Sequence, residues 1–218
     1  MKSWHRLLRS GLLFLALISV GLVVRRVLII AQIIPAAPKG AKFVVETGLK
    51  DYTGLTLIHI IPGFLVVTLG PWLLMDTNRI FVEQKQIVQR WLFIAAGFIV
   101  GLSAMLMPFI TLPIGGLNEA VATEVYGLVF ILAVLQVMRT NIQKNKTAWR
   151  AAMIRTMSLA LAIASTRLIM VLAFIIWKVS AAEFLGTAFW MAFTIHLWIA
   201  ETWIKYSEAH PLRSLKRT

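Results

Sequence analysis

The sequence predicts an all-α integral membrane protein, a polytopic bundle of six transmembrane helices, and three observations carry that reading. Its 218 residues are 59% hydrophobic and 14% charged, with eight tryptophans and twelve phenylalanines. A soluble domain is about 45–50% apolar and about 25% charged. Six apolar runs, each of roughly 20 residues and so long enough to cross a bilayer, are separated by polar breaks. The lysines and arginines between those runs fall mostly on one side. One six-helix domain over residues 1–218 accounts for the whole chain.

The spans run approximately over Ser10–Ile33, Thr53–Met75, Arg90–Leu112, Asn118–Met138, Thr156–Trp177 and Glu183–Ile204. The first is apolar from Gly11 to Ile34 except for the adjacent pair Arg25-Arg26, and Pro35 and Pro38 close it. It begins with Lys2, Arg6 and Arg9, but its apolar core leads into two arginines rather than a small-residue cleavage site. It therefore reads as an uncleaved helix and not a signal peptide. The second span starts at Thr53 and carries His59 in its first half. In the third, Pro108 predicts a kink or an early end, and Gly97 with Gly101 forms a GxxxG pair that permits close helix approach. Pro113-Ile114-Gly115-Gly116 makes the short turn that follows, and Asn118 is the expected N-cap of the fourth span, with Glu119 in its first turn. The fifth contains Arg167; the sixth contains His196 and Glu201. No internal repeat, low-complexity tract or linker interrupts the series.

The charge pattern sets an orientation. Lys2, Arg6, Arg9, Arg79, Lys85, Arg90, Arg139, Lys144, Lys146, Arg150, Arg155, Lys205, Arg213, Lys216 and Arg217 fall on one side, against Lys39, Lys42, Lys50 and Lys178 on the other. The positive-inside bias then places both termini in the cytoplasm of a cell with the bundle in its inner membrane. Trp72, Trp91 and Trp203 fall near inner ends and Trp177 near an outer end, as an aromatic belt requires. The net charge of +13 is distributed between apolar runs rather than along one face, which points to membrane topology and away from nucleic acid. The expected partner is the lipid bilayer, with room for a homo-oligomer or another membrane protein. With no cysteine, disulfides, thiolate metal sites and thiol catalysis are excluded. No His-x-x-x-His pair and no nucleophile-elbow serine points to hydrolytic or metal chemistry.

Charged residues within the spans are costly, about 2.5–3.5 kcal/mol each at mid-membrane on insertion scales, so each calls for a partner or a function. Counting depth at about 1.5 Å per residue puts Arg25, Arg26, His59 and Glu124 roughly 9–12 Å below the outer boundary. Arg167 and His196 fall near the midplane, and Glu201 nearer the cytoplasmic side, at the depth of Arg90 and Arg155. At least one of Arg25 and Arg26 is expected to meet Glu124 or approach His59, while the other is free to snorkel, since helical neighbours point about 100° apart. Arg167 is expected to find Glu201 or His196. Arg25, Arg26, Glu124, Arg167 and Glu201 thus form the predicted buried polar cluster.

Several of these residues sit in short segments that resemble a known family. His59-Ile60-Ile61-Pro62-Gly63 with Gly70-Pro71, then Gln89-Arg90-Trp91-Leu92, Arg150 to Thr156, Thr166-Arg167-Leu168 and Ala200-Glu201 appear in order. Over about residues 53–205 the chain resembles the bacterial membrane proteins called domain of unknown function 2306. That family is grouped with two-haem b-type transmembrane cytochromes, so the resemblance implies helix-borne histidines that ligate haem. The chain departs from the pattern at Gln89 and, approximately, Trp149, where family members carry histidine. His59 remains of the intramembrane histidines, and His196 stands where similar proteins carry a polar amide.

Three functions fit these residues. The leading one is a non-catalytic bundle, structural, regulatory or small-molecule-binding, with buried charges fixing helix packing and no cofactor expected. The second is electron transfer through one haem b held between His59 and His196, whose counted depths differ by roughly 9 Å, since His5 and His210 belong to the chain ends. The third is proton or small-solute movement along the layers of His, Glu and Arg.

Overall fold

A computed structural model describes residues 2–35, 52–75 and 84–209. They form six helices: α1 (Lys2–Ile30), α2 (Thr53–Met75), α3 (Gln84–Ile110), α4 (Gly116–Ile142), α5 (Lys146–Trp177) and α6 (Ala181–Ala209). Each contains a stretch long and apolar enough to cross a membrane, so the chain is a multi-pass membrane protein of all-α architecture. Pro38, Lys39, Lys42, Lys50, Arg79, His210, Arg213, Lys216 and Arg217 lie outside the described residues. Of Lys2, His5, Arg6, Arg9 and Lys85 only the helical backbone is described.

The helix α2 has the expected bounds; the others overrun theirs at one end of the bundle, while at the opposite end α1 and α3 stop short, at Ile30 and Ile110, and α4 and α6 start two residues early. At the overrun end α1 starts at Lys2, α3 at Gln84 and α5 at Lys146, while α4 runs to Ile142 and α6 to Ala209. Hydropathy marks where the apolar run stops. Glutamine, lysine, arginine and alanine are good helix formers and carry the helix beyond it. Arg90, Arg150 and Arg155, expected between or at the edge of the spans, are therefore helical. Pro108 lies inside α3, which ends two residues later at Ile110, short of the expected Leu112. The α3–α4, α4–α5 and α5–α6 connections are short, so these neighbours run antiparallel. Asn145 caps α5, its side chain accepting from the Ala148 N–H at 3.1 Å, and Lys178 ends that helix with φ 58°.

At the start of α4 Glu119 lies in the first turn as expected, but the expected N-cap is corrected. The N-cap is Gly115, with no side-chain cap bond, and Asn118 lies inside the helix. The Asn118 amide reaches across to α6, accepting from Trp190 Nε1 at 3.1 Å and donating to Thr187 Oγ1 at 3.3 Å. Glu119 takes over the capping role, its carboxylate accepting from the Gly115 N–H at 2.7 Å. The chain can reach this geometry because Gly116 sits at φ +60°.

The core centres on α5, which packs against α1, α2, α4 and α6. Its Trp149, Met153 and Met157 are fully enclosed together with Phe93 of α3, Phe130 of α4 and Val66 of α2. Leu17, Phe109, Leu112, Leu117 and Trp198 face outward, as lipid-facing side chains do. Lipid is as apolar as leucine, so helix association relies on close packing rather than on the hydrophobic effect. Glycines provide it. A Cβ on Gly97 would stand 2.9 Å from Val134 and one on Gly101 2.5 Å from Ile131, and Gly127 of α4 abuts Met105 of α3. The hydroxyls of Ser19, Thr68, Ser103, Thr111, Thr156, Thr166 and Thr202 each donate to the carbonyl four residues back, so they need no partner from the bilayer.

Candidate functional site

The end of the bundle opposite the chain termini holds a cavity of about 590 Å³. Five helices give it their faces in regular helical steps. Ser19, Leu22 and Arg26 come from α1; Thr56, His59, Gly63 and Val67 from α2. Val100, Ala104, Met107 and Thr111 come from α3; Glu119, Thr123 and Tyr126 from α4; Ala160, Ile163, Arg167 and Met170 from α5. Phe189 of α6 adds part of the wall. The charged groups gather toward the outer part of this space, and the far floor of Val66, Val67, Val100 and Ala160 is apolar.

The double arginine divides as adjacent helical positions must. Arg25 is exposed and Arg26 half-buried, although both border the cavity. Arg26 lies within electrostatic range of both His59 and Arg167. Its approach to His59 is one of the two arrangements the depth count allows. The other partner is corrected: Glu124 does not line the cavity, and its Oε1 is buried without a hydrogen-bond partner. The α-helical repeat explains this. Glu119, Thr123 and Tyr126 follow one another at i, i+4 and i+7 on the cavity face, and Glu124, one residue past Thr123, is turned about 100° away.

Arg167 is likewise corrected. It meets neither Glu201 nor His196; it enters the cavity, where Glu119 and Arg26 are its charged neighbours. Glu201 instead forms a bidentate pair with Arg155, Nε to Oε1 at 2.5 Å and Nη2 to Oε2 at 3.0 Å, joining α5 to α6. Helix direction decides this: Arg155 and Glu201 lie at the end of the bundle that holds the termini, and Arg167, more than three turns beyond Arg155 on α5, is carried to the opposite half.

The two histidines occupy separate environments. His59 Nδ1 is 3.0 Å from Ser103 Oγ, and that hydroxyl commits its hydrogen to the Ile99 carbonyl at 2.6 Å. The tautomer that fits this contact donates from Nδ1 and leaves Nε2 as an acceptor, and the ring also hydrogen-bonds the backbone at Val100. His196 is 2.7 Å from Ser165 Oγ and also hydrogen-bonds the backbone at Ser158, so α5 holds its ring. His196 does not line the cavity that His59 lines. A bis-histidine haem requires both imidazoles free and facing one space. These residues do not fit one, and Gln89 and Trp149 at the other positions supply no imidazole. Trp149 is instead a fully enclosed core residue.

Sequence reasoning missed Glu119 and Ser103 as site residues. The helical spacing Glu119–Thr123–Tyr126 is the signal that could have found the first; a serine at the depth of His59 is a weaker hint of the second. Tyr126 was also missed. Its hydroxyl donates to the Leu159 carbonyl at 2.8 Å, and its ring stacks on Phe193 with centroids 4.0 Å apart. Among the described residues no group of three His, Asp or Glu side chains could hold a metal ion. No family model matches the chain, and neither a curated protein nor a solved structure matches it.

Proposed function

We propose that this protein is a non-catalytic, small-molecule-binding membrane bundle, and that the cavity between α1, α2, α3, α4 and α5 is its binding site. The cavity itself carries this reading. Its volume of about 590 Å³ lies within the roughly 300–1,000 Å³ range of ligand sites, and its mixture of apolar wall and a few convergent polar groups is typical of them. The positive-inside count supports cytoplasmic termini in the inner membrane, which puts the cavity in the outward half of the bilayer. Kinship with the domain of unknown function 2306 proteins belongs to the same proposal, because the segments around His59 and Arg167 that suggest it both border this cavity.

Filling the cavity tests the proposal. A Cβ on Gly63, which lines the cavity, would find only Val100 Cγ2, at 3.9 Å, so Gly63→Leu adds side-chain volume at the cavity wall from a position whose Cβ is unobstructed. Wild-type protein extracted into lipid nanodiscs should carry a small molecule detectable by native mass spectrometry, and Gly63→Leu should lose it while unfolding at an unchanged temperature. Equal loading of both proteins would refute the assignment of the cavity as the site.

A further inference from the structure

The charge lining the cavity specifies more than a ligand of the right size. Arg26 from α1 and Arg167 from α5 reach into one space within electrostatic range of each other, and neither makes a hydrogen bond or ion pair among the described residues. Two like charges drawn together in a poorly solvated site repel, and each desolvated guanidinium is costly without an acceptor. Glu119 is the carboxylate among the described lining residues, and one of its oxygens already accepts from the Gly115 N–H. His59, with Nδ1 on Ser103, keeps Nε2 as a further hydrogen-bonding atom in the cavity wall. The described wall therefore offers more cation than anion, with two planar, five-donor groups suited to bidentate recognition of phosphate or carboxylate.

Below this charged band the wall is mostly apolar, and the hydroxyls of Ser19 and Tyr126 there are committed to the Leu15 and Leu159 carbonyls. From Arg167 to Ala160 on α5, and from His59 to Val67 on α2, the lining continues for two helical turns, about 10–12 Å, as hydrocarbon. A second space of about 300 Å³, bounded only by apolar side chains such as Val24, Leu28, Ile61 and Phe64, opens between α1 and α2 and shares Val23 with the first. Charge at one end and a hydrocarbon floor at the other fit one ligand shape.

We infer that the cavity binds a single-chain amphiphile with an anionic head, a phosphate or a carboxylate, held by Arg26 and Arg167, with its alkyl tail on the Val66–Val100–Ala160 floor. This rests on the proposed binding function and names its ligand class. The head could belong to a membrane lipid or lipid fragment or to a free anion, and both sources present the same oxygens to the guanidinium groups. The hydrocarbon floor assigns the site to the tailed one.

The test uses the full chain in phosphatidylcholine nanodiscs, titrated with dodecyl phosphate, dodecanol and inorganic phosphate, with the thermal unfolding temperature as readout. Dodecyl phosphate should raise it saturably, and dodecanol and inorganic phosphate should not at equal concentration. Arg26→Gln and Arg167→Gln should each weaken dodecyl phosphate roughly tenfold or more, the loss of one charge-assisted contact. The ligand series in wild-type protein keeps the test decisive even if an arginine variant misfolds. A dodecanol shift equal to that of dodecyl phosphate, and lost in Gly63→Leu, would overturn the anionic head while leaving the binding cavity standing. An equal shift with inorganic phosphate would overturn the tail. No shift with any of the three, together with equal native loading of wild type and Gly63→Leu, would overturn the cavity reading as well.

Discussion

Gly186 offers a stability prediction whose sign can be worked from geometry. It sits where α6 crosses the first turn of α4, and a Cβ there would stand 2.7 Å from the Asn118 carbonyl carbon, the Asn118 Cγ and the Glu119 nitrogen. Two of those atoms are backbone and cannot rotate away. Restoring ordinary contact requires α4 and α6 to separate by about 0.7–1 Å, an overpacking distortion that typically costs about 1–3 kcal/mol. Alanine in a helix interior returns about 0.5–1 kcal/mol relative to glycine. The net expectation for Gly186→Ala is destabilisation by up to about 2.5 kcal/mol, with the Asn118–Trp190 and Glu119–Gly115 hydrogen bonds strained by the same movement. Gly21→Ala is the matched control, since a Cβ on Gly21 of α1 meets nothing within 4 Å. It should be neutral or stabilising. Thermal unfolding of both variants and wild type in one detergent measures the difference. The reasoning fails if Gly186→Ala unfolds at or above the wild-type temperature, or if the two variants shift equally in the same direction.

Other outcomes follow from individual contacts. A double-mutant cycle with Arg155→Gln and Glu201→Gln should give a coupling energy of about 1 kcal/mol, kept modest because the two side chains are 32% and 42% exposed; a coupling of zero would show the pair to be incidental. Tyr126→Phe removes the donor to Leu159 but keeps the ring on Phe193, so chemical denaturation should show a loss of about 1 kcal/mol; Tyr126→Ala should lose about 3–5 kcal/mol. His196→Ala cuts the ties from α6 to Ser165 and Ser158, and is expected to lower the unfolding temperature while leaving dodecyl phosphate affinity within about twofold of wild type. A tenfold loss of affinity in that variant would connect His196 to the cavity. Oxidised and dithionite-reduced absorption spectra of the purified protein should be the same and lack a haem Soret band; a band lost in His59→Ala would restore the haem reading.

Much of the fold could be read from the chain because hydropathy reports burial in lipid directly, and each helix contains its own hydrogen bonds. For that reason α2 could be bounded to the residue, while α5 was bounded at its end, Trp177, and not at its start, since Lys146–Arg155 is helical with its apolar residues broken up by Lys146, Arg150 and Arg155. The site was harder. Depth along a helix is linear in sequence, so Arg26 and His59 were correctly placed near each other. Rotation about the axis accumulates at about 100° per residue, so choosing Glu124 over Glu119, five residues and about 7.5 Å apart on α4, is an error of rotation as well as of depth. The Arg155–Glu201 pair was within reach of the same depth count, and assigning Glu201 to Arg167 overlooked the closer arginine. The Ser103 bond to His59 depends on how α2 and α3 face each other, which one sequence does not encode in any simple period.

The position of α5 has a consequence for how the protein is made. Before it emerges, α1 touches α2, α2 touches α3 and α3 touches α4, a string of sequential neighbours with nothing behind it. The fifth helix contacts α1, α2 and α4 at once, and α6 then adds to α4 and α5. A ribosome that has delivered four helices to the membrane has therefore delivered an open row, and synthesis of residues 146–177 turns the row into a closed body. Arg167 enters with that same helix, so the space it faces does not exist until the fifth helix is in place.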